Sequence, residues 1–428
     1  MEIGLTPLFI MAVIFSLLVM GLVKDPIWSI AGYLIVYTLY NPDVWWALRI
    51  GQFLPRPSLI AAVVVAAATF SHPHKLQWKI SLREFELYLF LALCWFVSFV
   101  FGVGVHDEAR QYLEKMTKVF IFVFFLLRVV NTLRNYRIVL ATLIACGILL
   151  AWQSRFYGAM FDGRLDNFGG VDFNEANGFA AFLALCICHL GFRFLKMPWW
   201  AKGLAAIGLA ILLNGLILTQ SRSIFLGMVL AVPAVVYRTV GWSRIRIIVA
   251  VLLGTVLFFS LAHKQFWERM QTIQSQEDAG RVGRLAFWRA SVLIFKDHPL
   301  GVGVKNFQHM IGIYDPQHAG RDAHNSYVLC YSELGVLGIG LFLVIITKAV
   351  FQTQRIIRLV KKWDTKGEDI LFWAIPLEAT FIIYLLGYMM THSNLYTEML
   401  WILLALPICF ENAWKLYGKE EGRDSIGR

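Results

Sequence analysis

The chain has 428 residues, of which 58% are hydrophobic and 16% charged, and its mean hydropathy is +0.62. This composition excludes an ordinary soluble globular protein and indicates a polytopic membrane protein. The formal net charge is +11. Because no basic domain with a recognition fold accompanies that charge, no nucleic-acid partner is predicted.

Apolar runs of about 17 to 25 residues can cross a hydrocarbon core as helices. The sequence contains thirteen candidates, of which the second and third are shorter than a full crossing. They are residues 5–23, 27–40, 58–70, 85–105, 113–130, 135–154, 176–195, 203–219, 223–240, 245–262, 327–350, 370–390 and 395–413. The first has no basic flank or cleavage site, so we expect it in the mature protein. We therefore predict an all-α protein with twelve or thirteen transmembrane helices, forming one integral membrane domain over residues 1–428.

Lys and Arg concentrate in alternate loops, and short cytoplasmic loops carry the excess of these residues. The loops assigned to the cytoplasm hold Lys75, Lys79, Arg83, Arg128, Arg134, Arg137, Arg193, Lys196, Lys202, Arg238, Arg244, Arg246, Arg355, Arg358, Lys361, Lys362 and Lys366. The C-terminal tail falls on the same side. All six cysteines lie in apolar segments, so neither a disulfide framework nor a zinc site is predicted.

On this alternation, residues 263–324 form a long segment on the outward face. Segments this long in a protein with short loops are often functional. Within it, residues 283–296 repeat apolar side chains at Leu285, Trp288, Val292 and Phe295, which predicts an amphipathic helix at the outer membrane surface. Pro299 and the glycines at 301 and 303 end that helix.

Two arginines stand at outward helix starts. Arg222 lies in the run 219–223 (TQSRS), where the hydroxyl of Ser221 is also suited to an anionic oxygen. Its ordinary interpretation is an interfacial, snorkelling arginine, but an outward arginine runs against the orientation bias. Arg284 follows a glycine near Arg281 and Arg289. It could cradle a phosphate or belong to a solvated basic face.

His324 lies beside Asn325 and Tyr327 at the mouth of an apolar segment. Imidazole is the side chain best able to take a proton near neutral pH. A single histidine is more often structural, however. For Glu333, Glu398 and His392, which stand in or beside apolar runs, the structural interpretation is favoured.

Several motifs of other enzyme classes are absent from the sequence. There is no Asp-x-Asp pair, no His-Glu-x-x-His, no Walker loop and no Gly-x-Ser-x-Gly. Metal-dependent sugar transfer, zinc hydrolysis, ATP hydrolysis and the common serine hydrolase elbow therefore lose support. No cofactor or metal is predicted. If the leaving group of the reaction is a pyrophosphate, two or three guanidinium groups can neutralise its developing charge in place of a divalent cation.

Together these motifs resemble the O-antigen ligase and O-antigen polymerase superfamily of bacterial envelope proteins. The resemblance rests on residues 219–222 (TQSR), 283–284 (GR) with Trp288, 298–303 (HPLGVG) with 306–307 (NF), and 324–327 (HNSY) followed by 332–338 (SELGVLG). It covers about half of the chain. The N-terminal part through 43–46 (DVWW) is similar to a branch described as probable O-glycosylation ligases.

The resemblance implies a metal-independent, inverting glycosyltransferase of the GT-C type in the bacterial inner membrane, with its active site facing the periplasm. Such enzymes take a glycan from undecaprenyl pyrophosphate, and the ligases attach it to the lipid A-core of lipopolysaccharide. By position, His324 would be the general base, and Arg222 and Arg284 would hold the pyrophosphate. The predicted secondary substrate contacts are Arg155, Arg164, Ser221, Arg289, Asn325 and Tyr327.

Three other functions stay open. Polymerases share these motifs, and a protein O-oligosaccharyltransferase differs only in its acceptor. One dominant loop, rather than two similar ones, favours the ligase. A lipid-linked glycan transporter is the more remote alternative, because it would need polar residues along a pathway and the helices offer few beyond Asn214, Glu333, Lys348 and Glu378.

Overall fold

The computed structural model describes residues 5–40, 56–104, 106–161, 164–166, 169–239, 241–261, 279–361 and 365–420. Each of the thirteen predicted apolar segments coincides with a helix over most of its described length. Before the first strand the helices are α1 (Leu5–Val23), α2 (Ile27–Leu39), α3 (Pro57–Ser71), α4 (Leu82–Val100), α5 (Asp107–Val129) and α6 (Leu133–Tyr157). The strands β1 (Ala159–Phe161) and β2 (Arg164–Asp166) pair antiparallel as one small hairpin.

The remaining helices carry most of the predicted motifs. They are α7 (Ala176–Phe194), α8 (Trp199–Thr219), α9 (Arg222–Arg238), α10 (Gly241–Leu261), α11 (Ala279–Asp297), α12 (Phe307–Tyr314), α13 (Ser326–Val360), α14 (Thr365–Ile382), which continues into a π-helical turn (Ile383–Tyr388), and α15 (Glu398–Glu420). Of the long segment 263–324, residues 263–278 lie outside the described ranges.

Six helices in the described ranges are long and apolar enough to cross a membrane: 133–156, 176–194, 199–219, 326–360, 370–388 and 398–417. Three shorter apolar helices, 7–23, 27–39 and 57–71, accompany them. The chain is therefore a membrane protein built from helices. The count of twelve or thirteen crossings, the GT-C type and the single domain stay predictions.

The basic loops assigned to one side of the membrane do meet at one end of the bundle. The guanidinium carbons of Arg137 and Arg193 lie 5.5 and 4.6 Å from the ring centre of Trp373. Arg238 donates two hydrogen bonds, of 2.9 and 2.8 Å, to the carboxylate of Glu378. Glu378 therefore holds a cation at the end of α9 rather than lining a pathway through the bundle.

Helix α13 contains a break in its first third. Gly335 has φ +64° and ψ −163°, a conformation outside the helical region, and essentially only glycine adopts it. The segment 299–303 fills the break, because Val302 N and Gly303 N donate to the carbonyl oxygens of Ser332 and Glu333 over 3.1 and 2.8 Å. The residues that follow His298 thus supply the hydrogen-bond donors that the broken helix lacks.

The predicted amphipathic helix is confirmed as α11, with a start at Ala279 rather than Gly283. Of its predicted apolar stripe, Leu285 and Val292 are 44% and 46% exposed, whereas Trp288 and Phe295 are half-buried. The buried face instead consists of Phe287, Ala290, Ser291 and Ile294. The six cysteines are free thiols.

Candidate functional site

Arg222 begins α9 directly after a very tight turn. Helix α8 ends at Thr219, Gln220 adopts a left-handed conformation with φ +49°, and Ser221 alone precedes the next helix. The arginine is half-buried and stands where the free N–H groups and the dipole of α9 favour an anion.

A glycine on the π-helical turn lets the first turn of α9 approach closely. A Cβ built on Gly387 would come within 2.8 Å of the Ser223 carbonyl oxygen and 3.4 Å of the Gly227 Cα. The backbone beside Arg222 is therefore fixed against the end of the α14 segment.

His324 sits in the connection that leads into α13. Its φ of +48° is left-handed, which costs a non-glycine residue about 1–3 kcal/mol and is found most often at functional sites. Asn325 follows and caps α13, because its Oδ1 accepts from the backbone N–H groups of Tyr327 and Val328 over 2.9 and 3.1 Å. The imidazole is thus presented just outside a helix start and is half-buried.

The start of α13 is joined to the segment 389–394 by several hydrogen bonds. The Ser326 N–H donates to the Met389 carbonyl oxygen over 2.8 Å, and Ser326 Oγ donates to the His392 carbonyl oxygen over 2.7 Å. The Asn394 N–H donates back to Ser326 Oγ over 2.9 Å. His324 and His392 are consequently held on facing segments.

Five aromatic rings form a row with His324 at its centre. Successive ring centres of His318, Phe287, His324, His392 and Tyr388 are 5.1, 6.0, 6.3 and 5.5 Å apart. The row begins at the 3-10 turn 316–318, crosses the buried face of α11 and ends on the π-helical turn. It therefore brings the helix that carries Arg284 to one side of His324.

A chain of polar side chains connects the other side of His324 with the turn that carries Arg222. Asn177 Nδ2 donates to His392 Nε2 over 2.7 Å, and Ser221 Oγ donates to Asn177 Oδ1 over 2.7 Å. Gly178 allows this approach, since a Cβ there would come 2.8 Å from Tyr388 Oη. Residues from three distant parts of the sequence thus meet beside His324.

The segment before α7 is anchored by Asp172. Its Oδ2 accepts from Tyr37 Oη over 2.7 Å and from the Glu398 N–H over 2.6 Å, while Lys115 Nζ donates to Oδ1 over 3.0 Å. One carboxylate therefore ties α2, α5 and the start of α15 to the chain that leads into α7 and Asn177.

The other predicted arginines differ in their exposure and in their connection to His324. Arg284 is half-buried and stands three residues before Phe287, on the same side of α11. Arg289 is exposed, and Arg155 is exposed in the last turn of α6. Arg164 lies on β2, and its side chain is outside the described part of the chain. The structure therefore connects Arg222 and Arg284 with His324 but makes no such connection for Arg155 or Arg289.

Three of the predicted substrate contacts make hydrogen bonds within the protein. Asn325 Nδ2 donates to the Met390 carbonyl oxygen over 3.2 Å, besides the capping by its Oδ1. Tyr327 Oη donates to the Leu385 carbonyl oxygen over 3.2 Å. Ser221 belongs to the Asn177 link described above. These contacts show that the three residues shape the site, and their contact with substrate stays a prediction.

Buried polar atoms close to the aromatic row have no hydrogen-bond partner among the described residues. They are Trp288 Nε1 on α11, and Ser393 Oγ and Asn394 Nδ2 immediately after His392. Similar atoms occur elsewhere in the described part of the chain, for example Tyr136 Oη and His189 Nε2, so these three do not by themselves mark a binding site.

The motif at 298–303 has a structural role. Besides filling the break in α13, it leads to Phe307, whose N–H donates to Glu333 Oε1 over 3.2 Å; Tyr396 Oη donates to the other carboxylate oxygen. The structural interpretation of Glu333 is thereby confirmed. Burial lowers the pKa of nearby Lys305, but the attraction of Tyr112 and of Glu108, 3.3 Å from its Nζ, outweighs burial and raises the pKa overall.

No group of three His, Cys, Asp or Glu side chains suited to hold a metal ion occurs within the described ranges. The polar centre instead consists of imidazoles, amides and hydroxyls flanked by helices that carry arginine. Such a centre is suited to proton transfer next to an anionic group.

The fold and this centre define a helical membrane protein with a polar site at one end of the bundle. A family model described as O-antigen ligase matches residues 207–343. The match covers about a third of the chain and supports the resemblance to the O-antigen ligase superfamily that its motifs indicated. The matched region contains Arg222, Arg284 and His324, whereas Asn177 and His392 lie outside it. No curated protein matches the chain.

The sequence predicted no role in the site for Asn177, and it favoured a structural interpretation of His392. Asn177 stands at the end of a polar loop, and 215 positions separate it from His392. The only signal for either residue was a polar side chain at the edge of an apolar segment, and many other residues share that feature.

Proposed function

We propose that the protein is an O-antigen ligase. It transfers a glycan from undecaprenyl pyrophosphate to the lipid A-core of lipopolysaccharide, at the periplasmic face of the bacterial inner membrane. The transfer is inverting and independent of metal ions, as expected of a GT-C-type enzyme. The match of residues 207–343 to the O-antigen ligase family model supports this reaction class.

One observation carries the proposal: helices that bear the two motif arginines flank the motif histidine. Phe287 of α11 lies 6.0 Å from His324 between ring centres, and Arg284 is one turn earlier on that helix. On the other side, His392 and Asn177 lead to the turn of Arg222. A base between two anion-binding groups is the arrangement that transfer from a pyrophosphate requires.

In the proposed reaction, His324 removes the proton of an acceptor hydroxyl. The hydroxyl oxygen attacks the anomeric carbon of the donor glycan, and a new carbon–oxygen bond forms as the bond to the pyrophosphate oxygen breaks. Inversion follows because the acceptor attacks from the face opposite the leaving group. The proton stays on the imidazole, and undecaprenyl pyrophosphate leaves with the bonding electrons.

Arg222 and Arg284 stabilise the charge that develops on the leaving pyrophosphate. Guanidinium groups suit this task because they are permanently charged and donate paired hydrogen bonds to phosphate oxygens. For Arg222, the start of α9 adds backbone N–H groups directed at the same anion.

A transporter is disfavoured by the partners of the charged residues inside the helices. Glu378 binds Arg238, Lys348 binds Glu86, and Glu333 accepts from Phe307 N and Tyr396 Oη. These pairs are local and do not follow one another through the bundle. A polymerase or a protein O-oligosaccharyltransferase would use the same site with a different acceptor.

The test is to incubate purified protein with undecaprenyl-pyrophosphate-linked glycan and lipid A-core, without ATP or added metal. Formation of glycosylated lipid A-core supports the ligase. Elongation of the lipid-linked glycan in place of that product would identify a polymerase, and transfer only to an added protein acceptor would identify an O-oligosaccharyltransferase. Absence of transfer to all three acceptors would contradict the proposal.

A further inference from the structure

His392 lies outside the region matched by the family model, in the turn between the π-helical end of α14 and α15. It is half-buried, and its ring stacks on Tyr388 with 5.5 Å between centres and an interplanar angle of 21°. The ring also meets His324 nearly at right angles, at 78° and 6.3 Å. Two imidazoles therefore face each other in the site.

Both ring nitrogens of His392 are engaged. Nε2 accepts from Asn177 Nδ2 over 2.7 Å, and Nδ1 lies 3.0 Å from Thr391 Oγ1. With Nε2 as acceptor, the proton of the neutral ring is on Nδ1 and is donated to the threonine hydroxyl. Each ring nitrogen thus has a partner that restrains the orientation of the imidazole.

The side chain and the backbone of His392 are joined to residues next to the proposed catalytic groups. Asn177 accepts from Ser221 Oγ, and Ser221 immediately precedes Arg222. The carbonyl oxygen of His392 accepts from Ser326 Oγ, two residues after His324. A displacement of His392 would consequently disturb the arginine turn on one side and the histidine on the other.

We propose that His392 is a positioning residue of the transfer site, acting through Asn177 on the turn of Arg222 and through its ring contact on His324. The proposal rests on the proposed function, because it assigns the pyrophosphate to Arg222 and the proton transfer to His324. It predicts that His392 affects both donor affinity and turnover although it is far in sequence from both residues.

The experiment measures the affinity of purified protein for undecaprenyl pyrophosphate beside the rate of glycan transfer. His392→Ala should weaken the affinity about tenfold, as expected for loss of a restrained hydrogen-bonded link, and should lower turnover as well. Asn177→Ala should weaken the affinity by a similar factor. The double variant should be no weaker than either single one, since both changes break the same link.

Two further variants separate positioning from general stability. His392→Gln can place its Oε1 near the position of Nε2, so it should accept from Asn177 and recover most of the affinity. His309→Ala is the matched control: His309 is exposed and packs on His106 with 4.3 Å between ring centres. It should leave affinity and turnover unchanged.

Normal affinity and turnover in folded His392→Ala would overturn the proposal, as would a lowered melting temperature with normal affinity. If His392→Ala fails to fold, Asn177→Ala and His392→Gln decide by the same measurements. Wild-type protein that binds undecaprenyl pyrophosphate but transfers no glycan would refute the proposed function. The affinities of the His392 and Asn177 variants would then still test whether His392 positions the turn of Arg222. Wild-type protein that does not bind it would refute both.

Discussion

Gly301 and Gly335 lie in direct backbone contact. A Cβ on Gly335 would come 2.6 Å from the Gly301 nitrogen, and a Cβ on Gly301 would come 2.7 Å from the Gly335 nitrogen. Both residues have positive φ, +95° and +64°. The contact joins two motifs that are separate in the sequence and holds the segment after α11 against the helix that follows His324.

Gly335→Ala should therefore destabilise the fold. The conformation of Gly335 costs a non-glycine residue about 1–3 kcal/mol. The added methyl group would also collide with backbone atoms, which cannot move aside by a change of rotamer as a side chain can. The melting temperature and the yield of monodisperse detergent-solubilised protein measure the effect. Gly340→Ala is the control on the same helix, because a Cβ there meets nothing within 4 Å. Equal stability of the two variants would contradict this account.

The assignment of Arg222 and Arg284 to the pyrophosphate predicts that the transfer rate depends strongly on the geometry of their guanidinium groups. Arg222→Ala and Arg284→Ala should each lower the transfer rate about 30- to 1000-fold, because one charge-assisted contact to the leaving group contributes about 2–4 kcal/mol in a water-poor site. The lysine variants should recover little, since an ammonium group cannot donate a paired hydrogen bond. Rates are compared at saturating donor. Arg110→Ala serves as the exposed control, because Arg110 pairs with Glu114 on its own helix. Normal transfer by both Arg222→Ala and Arg284→Ala would contradict the assigned anion site.

The orientation is tested by labelling from outside the cell membrane. In a cysteine-free background, a cysteine at exposed Gln317 should react with an impermeant maleimide in intact spheroplasts, because that turn is predicted to face the periplasm. A cysteine at exposed Lys361, at the other end of α13, should react only after lysis. The reverse pattern would overturn the topology and, with it, the periplasmic site.

Every apolar run that was predicted to be a helix coincides with one, because an apolar run of membrane length has few alternatives to a helix. The helix ends were less predictable. Helix α4 begins at Leu82 rather than Phe85, since Ser81 Oγ accepts from the Glu84 N–H over 3.2 Å and Glu84 is paired with buried Arg128. The Ser-x-x-Glu spacing of residues 81–84 is a local sequence signal for that start, whereas the ion pair depends on α5.

The site was predictable only in part, for a similar reason. His324, Arg222 and Arg284 stand in recognisable motifs at the ends of apolar segments. The contact of Asn177 with His392 arises from helix packing across the bundle, and neither residue has a distinctive neighbour in the sequence. The buried face of α11 was not predicted, because that helix has apolar side chains on both sides and its packing against α12 and α13 selects one of them.

Metal independence is a further expected outcome, because the site proposed here uses arginines where many glycosyltransferases use a divalent cation. Transfer should proceed at an unchanged rate in excess EDTA. A metal-dependent glycosyltransferase assayed in the same detergent and buffer shows that the chelator is effective. Activity that disappears in EDTA and returns with magnesium or manganese would refute the expectation.

His324 provides the most direct test of the chemistry. A general base contributes about 100- to 10,000-fold to the rate, so His324→Gln should lose turnover by a factor in that range while it keeps its affinity for the lipid-linked donor. Glutamine retains a hydrogen-bonding side chain of similar reach but cannot accept the proton, whereas a histidine with only a structural role should tolerate the change at least in part. Turnover and donor affinity are measured on the same purified protein, with His309→Gln as the control. Near-normal turnover of His324→Gln would remove the general-base role, because the glutamine amide cannot take up the proton of the acceptor hydroxyl.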